Sequence, residues 1–189
     1  MDLHVCPWWL GYFLASPIRK LWQSPESILG PFIQKGYTVL DVGSAMGFFS
    51  LPMARLVGEN GRVVCVDVQQ KMIDGLKRRA TKAGLAGRME FRVCESATLA
   101  IADLNGTIDF ALVFAVVHEA PDAERLFAEI HKALKISGRL LLCEPTGHVS
   151  EQAFAKTLST AQSVGFQIVS AAAIARSHSR LLTAGKTSN

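Results

Sequence analysis

Five short, unbroken apolar runs recur along the chain, and the segments between them carry helical patterning. The runs are residues 37–42 (YTVLDV), 62–67 (RVVCVD), 89–94 (MEFRVC), 108–114 (IDFALVF) and 139–143 (RLLLC). Continuous rather than alternating apolar residues suit strands buried on both faces, the condition of a parallel sheet covered by helices. The intervening segments supply those helices. Over residues 70–83, Met72, Ile73, Leu76, Ala80 and Ala83 share one face, with Gly84 as the stop. Over residues 122–135 the stripe is Leu126, Phe127, Ile130 and Leu134. Asp122 and Glu124 sit in its first turn, Lys132 and Lys135 near its last, as the helix dipole favours. Strands alternating with helices of this length predict βαβ units.

The end of the chain breaks that rhythm. A helix over residues 150–164 is followed by two runs, 167–173 (QIVSAAA) and 180–184 (RLLTA), too close together to hold another helix. Strands joined so briefly must pair antiparallel. Ahead of the first run, Ser24-Pro25 is a good helix start and Gly36 a stop, with Pro31 expected to kink the middle. There is no internal repeat or linker. The expectation is one domain: an N-terminal aromatic segment over residues 1–35 and a core over residues 36–189.

The 189 residues are 49% hydrophobic and 19% charged, which excludes a disordered or collagen-like chain. Twenty basic against sixteen acidic side chains leave +4, spread thinly, so no nucleic-acid partner is expected. The longest apolar stretch, residues 5–18 (VCPWWLGYFLASPI), falls short of the ~20 residues of a membrane span. It also lacks the basic start of a secretion signal. Cysteines 6, 65, 94 and 143 form no CxxC pair, which suits a reducing compartment. A cytoplasmic protein is expected.

The first run leads into VLDVGSAMGFF, where Asp41, Gly43 and Gly47 give DxGxxxG at a strand-to-helix turn. Glycines there let backbone N–H groups approach a ligand, and the helix start adds a positive dipole end. The second run ends at Asp67, twenty residues past Gly47, where a carboxylate can accept from both hydroxyls of a ribose. The third ends in Cys94-Glu95-Ser96. Carboxyl ends of strands are where open α/β sheets bind ligands. A nicotinamide-binding domain would need GxGxxG where this chain reads GSAMGF.

These strand ends, with the terminal hairpin, resemble the class I S-adenosylmethionine-dependent methyltransferases over about residues 28–186. VLDVGSAMGFFSLPMARLVG is similar to that family's glycine motif, GRVVCVDVQQKMI to its ribose motif, and MEFRVCESA to its adenine-side motif. Residues 108–145, IDFALVFAVVHEAPDAERLFAEIHKALKISGRLLLCEP, look like the small-molecule branch that includes quinone C-methyltransferases and arsenite methyltransferases. Two departures are Ala45, where a middle glycine is usual, and Glu95, where Asp is usual. The resemblance implies an α/β, Rossmann-like seven-stranded sheet in the order 3-2-1-4-5-7-6, its last strand antiparallel, with helices on both faces. It implies S-adenosyl-L-methionine as cofactor and methyl transfer to a small-molecule acceptor. By position, Gly43, Ser44, Ala45 and Gly47 would lie against the methionine part, with Asp41 near its amino group. Asp67 would hold the ribose hydroxyls, Val68 and Met72 would flank the adenine, and Glu95 and Ser96 would meet its edge. Phe114 and Ala115 would close the pocket.

A sulfonium donor is already activated, so the protein's main task is alignment, and a base is needed only if the acceptor carries a proton that must leave. His118 and Glu119 follow the fourth run and are the catalytic candidates. On the acceptor side stand Cys6, Trp8, Trp9 and Tyr12, read as a lid, and His148 after the fifth run. Arg19 and Lys20 leave peripheral contact with a lipid surface open. A soft-metal acceptor would draw on Cys6 and Cys94. Cys65 and Cys143 read as buried small hydrophobes, and no resident metal is expected. His131 is expected in solvent and His178 in a structural role. Two other readings stand beside the enzyme: a non-catalytic S-adenosylmethionine-binding protein, and an RNA methyltransferase, whose mark would be strong salt dependence.

Overall fold

A computed structural model describes residues 24–185. Cys6, Trp8, Trp9 and Tyr12, and with them the expected lid, lie outside the described residues. The described elements are α1 (Pro25–Leu29), β1 (Thr38–Val42), α2 (Ser50–Leu56), β2 (Arg62–Asp67), α3 (Gln70–Lys82), β3 (Met89–Val93) and β4 (Ile108–Phe114). After them come α4 (Ala123–Ala133), β5 (Leu134–Pro145), α5 (Glu151–Ser163), β6 (Phe166–Ala171) and β7 (Ser177–Ala184). The strands form one sheet in the order β3-β2-β1-β4-β5-β7-β6, with β7 antiparallel to both neighbours. Both features were expected. Among the described residues no helix is long and apolar enough to cross a membrane. The chain divides into two compact units, Met1–Cys94 and Glu95–Asn189.

In the first unit, β1 and β2 pair parallel from Thr38 opposite Arg62, and β2 and β3 from Val63 opposite Met89. Val39, Leu40, Val63, Val64, Cys65 and Val66 are wholly buried, so the runs of β1 and β2 are covered on both faces, whereas the edge strand β3 is only half-buried, with Val93 exposed. Each such side chain contributes about 1.5–3 kcal/mol. The predicted stripe of α3 is its buried face through Met72, Ile73, Leu76 and Ala80, whereas Ala83, expected on that face, is exposed where the helix has already ended at Lys82. Near the N-terminus the expectation needs correction. Ser24 does cap α1, accepting from the Ser27 amide, but the helix ends at Leu29. Pro31 terminates it instead of kinking it: Gly30 is still α-helical (φ −51°, ψ −41°), but Pro31 has no N–H to donate to the next carbonyl of the ladder.

In the second unit, β4 pairs parallel with β5, and β5, β7 and β6 pair antiparallel in turn. β5 is longer than the apolar run suggested. Its first half, LKISG, leaves Lys135, Ile136 and Ser137 exposed and carries no core signal, and the β4 register slips there between Ile108 and Phe110. β7 likewise starts three residues early, at polar Ser177, because residues 177–179 pair with Cys143, Glu144 and Pro145. Asp122 and Ser150 cap α4 and α5 through the amides of Arg125 and Ala153. Those helices bury Phe127, Ile130 and Ala133, and Phe154, Leu158 and Ala161. His131 corrects another expectation. Its ring meets Phe166 edge-on at 5.0 Å, and its Nε2 is buried without a hydrogen-bond partner. The stripe of α4 is thus one residue wider than its aliphatics suggested. His178 keeps its structural role, holding the Val149 carbonyl and stacking on Phe154 at 5.4 Å.

Candidate functional site

In the first unit the loop leaving β1 turns sharply over Gly43–Gly47. Gly43 (φ +71°), Ala45 (+45°) and Gly47 (+85°) all adopt left-handed backbone. Gly47 is required on a second count, since a Cβ there would sit 2.2 Å from Leu76 Cδ1. The turn is tied to β2. The amides of Gly43 and Ser44 donate to the Val66 carbonyl at 2.9 and 3.0 Å, and the Ala45 amide donates to Asp67 Oδ2 at 2.9 Å. Three loop amides expected to be available to a ligand therefore hold the turn instead. Arg79, from α3, donates to the Met46 carbonyl.

Asp67 is 8% exposed at the end of β2. Its Oδ1 accepts the Gln69 amide at 2.9 Å, so each oxygen takes one backbone donor and keeps acceptor capacity. Burial raises its carboxyl above the ordinary range, and those two backbone hydrogen bonds work against the shift. Asp41 lies deeper, inside β1, and accepts from Ser50 Oγ at 2.5 Å. Burial pushes it from the usual 3.8 to about 7, opposed by the Ser50 hydrogen bond and assisted by the Asp67 charge. Ser44 Oγ is buried with no protein partner. Gly43 and Val68 are exposed beside these groups, whereas Met72 is 2% exposed on the inner face of α3.

In the second unit Glu95 and Ser96 are exposed, and Glu95 forms an isolated bridge with Thr98. Phe114 and Ala115 are half-buried where β4 ends. Ala115 is left-handed (φ +60°), and its amide donates to the Cys143 carbonyl at 2.8 Å. The chain then makes a short helical turn, Val117–Glu119. At its centre lies a residue that sequence reasoning missed. Glu144, near the end of β5, is 1% exposed. Its Oε1 accepts the amides of Val117 (2.8 Å) and Val116 (3.3 Å), and its Oε2 meets His118 Nδ1. The signal was a carboxylate closing the apolar run RLLLCEP, since a charge in a central strand demands partners. The His118 side chain is 27% exposed, with Glu119 Oε1 3.9 Å from its Nε2. The exposed His148 ring lies parallel to it, 9° apart in plane and 6.1 Å between centroids. The structure thus brings His118, Glu119 and His148 together around a carboxylate not foreseen. Cys65, Cys94 and Cys143 are buried and form no disulfide among the described residues.

A protein-family profile described as a methyltransferase domain matches residues 33–184. The ubiquinone/menaquinone biosynthesis C-methyltransferase of Klebsiella pneumoniae is 30% identical over 127 residues, 67% of this chain. The chain spans about half, 49%, of that relative's length. An S-adenosylmethionine-dependent methyltransferase from Aquifex aeolicus superposes with a TM-score of 0.84 at 22% identity, covering 95% of this chain and 98% of the other. An arsenic(III) S-adenosylmethionine methyltransferase from Chlamydomonas reinhardtii gives 0.63 at 21% identity, covering 80% and 64%. At such identities these two structures carry the fold alone.

Proposed function

The chain belongs to the methyltransferase domain family, and from that premise we propose that it transfers a methyl group from S-adenosylmethionine to a small-molecule acceptor. The single observation that carries this reading is Asp67: a buried carboxylate with unused acceptor capacity, fastened to a left-handed glycine turn. The unpartnered Ser44 hydroxyl suits a ligand that brings its own polar groups, and the exposed Gly43 beside it, lacking a side chain, lets that ligand approach. These residues fit the cofactor, which when bound supplies a methyl on a positively charged sulfur.

In this reading Asp67 takes the ribose hydroxyls, and Gly43, Ser44, Ala45 and Gly47 bear on the methionine portion, with Asp41 serving its ammonium. Val68 and Met72 serve the adenine, as do Glu95 and Ser96, and Phe114 and Ala115 complete the cofactor set. His118, Glu119 and His148 belong to the acceptor. The aromatic segment with Cys6, Trp8, Trp9 and Tyr12 covers the acceptor, and residues 36–189 form the methyltransferase core. A cytoplasmic setting suits the three buried cysteines, none in a disulfide among the described residues.

Calorimetric titration with S-adenosylmethionine, with NADH as control, tests the proposal. Wild type binds the former alone. Asp67→Ala, which loses a charge-assisted hydrogen bond of about 1.5–3 kcal/mol, binds it on the order of 10- to 100-fold more weakly. Equal affinity in the two proteins, or binding of NADH instead, sinks the assignment.

A further inference from the structure

Glu144 is the most deeply buried carboxylate of the second unit, and the methyl-transfer reading gives it no task. A buried carboxylate is costly unless every lone pair is engaged, and this one is engaged in an ordered way. Its Oε1 is filled by two backbone amides of the turn that carries His118, and its Oε2 faces His118 Nδ1. It therefore fixes both the backbone on which the histidine stands and the ring itself. A carboxylate only accepts, so the proton between the two groups resides on Nδ1. A neutral imidazole holding a proton on Nδ1 must carry its lone pair on Nε2.

We propose that Glu144 is a positioning residue that locks His118 in the Nδ1–H tautomer, leaving Nε2 as the proton-accepting atom of the acceptor site. The inference rests on the methyl-transfer reading and extends it to the acceptor, which must be one that gives up a proton. At transfer the acceptor's X–H proton passes to Nε2, and the pair that held it forms the X–CH3 bond. The S–CH3 pair stays on sulfur, and the imidazolium later releases its proton to water. The groups facing the ring support this assignment. Glu119 Oε1 stands 3.9 Å from Nε2, so this atom is not tied up in a close ion pair with it. His148 lies with its ring parallel to that of His118, 6.1 Å between centroids, and makes no hydrogen bond to Nε2. An acceptor that offers only a lone pair, such as a thioether or a trivalent metalloid, would have no use for a histidine held this way.

Glu144→Gln is the informative perturbation because it preserves shape and reverses one hydrogen-bond role. The two backbone amides claim the amide oxygen, which turns the NH2 toward His118. Nδ1 must then accept, and the ring proton moves to Nε2. The two tautomers are distinguished by 15N NMR of histidine-labelled protein at pH about 9, with the His118 signals assigned from His118→Asn. Wild type shows a protonated Nδ1 and a bare Nε2, and Glu144→Gln shows the opposite. Glu144→Asp, which keeps the charge, guards against a failure of the amide variant to fold, and retains the wild-type pattern. A protonated Nε2 in wild type, or the same tautomer in wild type and Glu144→Gln, overturns the proposal. Titration with S-adenosylmethionine separates this failure from that of the premise. A wild type that binds no cofactor but shows a bare Nε2 removes the methyl-transfer reading and leaves the tautomer lock standing. Cofactor binding with the wrong tautomer removes the lock alone.

Discussion

Replacing Asp41 with Asn removes the most perturbed carboxyl of the glycine turn's unit and isolates what its burial costs. The wild-type group rises from an ordinary 3.8 to about 7, with desolvation the largest cause, the Ser50 hydrogen bond opposing it and the Asp67 charge adding to it. Across that interval the folded state binds a proton that the unfolded chain has released. Stability from this group is therefore complete below about pH 3.8 and is lost as the pH rises through about 7. At about 1.4 kcal/mol per tenfold change in proton affinity, the loss amounts to about 4 kcal/mol by pH 8. Asn cannot ionise, and its oxygen can still accept from Ser50. Its NH2 lacks a donor's partner there, which costs about 1–3 kcal/mol at every pH. That cost moves the intercept of the stability curve and leaves its slope alone. Urea unfolding of both proteins at pH values from about 4 to about 8.5 is the assay. The variant should gain on wild type by several kcal/mol across the range, with most of the gain between about pH 5 and pH 7. Two stability curves that run parallel would refute the argument, because no proton would then be held at Asp41 by the fold.

Gly47→Ala should destabilise by about 2–4 kcal/mol, from a left-handed alanine and a Cβ 2.2 Å from the fully buried Leu76. In a Leu76→Ala background its added cost should shrink to the backbone part alone, about 1–2 kcal/mol, and an undiminished cost in urea unfolding would argue against the packing role. Burial lowers the His131 pKa below the ordinary 6.5, so the stability this side chain permits is present above that value and is lost as the pH falls below it. Wild type should lose urea midpoint relative to His131→Leu on acidification below about pH 6.5, and a constant difference would show that the ring is solvated.

Much of the fold was legible because burial on both faces of a strand writes a continuous apolar run. Residues 62–67 and 108–114 begin and end where those runs do. The cap residues Ser24, Asp122 and Ser150 were equally legible, since an unpaired helix amide calls for a side-chain oxygen at a fixed offset. Strand segments held by pairing alone were not. Residues 135–137 are exposed, and residues 177–179 pair with β5 through Ser, His and Ser, so hydropathy is silent about them. The site divides the same way. Asp41, Gly43, Gly47 and Asp67 announce themselves by spacing, whereas Glu144 announces itself only once the amides it must satisfy are located. His131 illustrates the converse, because an imidazole on a helix's polar flank gives no hint that an aromatic from the following strand will cover it.

The two units use one device at the ends of their strands. The loop leaving β1 passes through left-handed Ala45, and its amide is held by Asp67, the carboxylate that ends the adjacent strand β2. The loop leaving β4 passes through left-handed Ala115, and the next two amides are held by Glu144, the carboxylate near the end of the adjacent strand β5. A left-handed alanine costs on the order of 1–2 kcal/mol that a relaxed loop would avoid, and a buried carboxylate costs more. In these two loops each offsets part of the other's cost. The strained turn aims amides at the acid, and the acid's hydrogen bonds hold the turn in its strained form. Such mutual dependence makes each loop rigid without committing its outer face to the core. In the proposed function, that leaves the second lone pairs of Asp67 in the first unit, and the Nε2 edge of His118 in the second, for a ligand to meet with little reorganisation. The departure at Ala45 from the family's usual glycine then has a physical meaning: the position is left-handed, glycine adopts it without strain, and here the Asp67 clamp supplies what the missing glycine would have given.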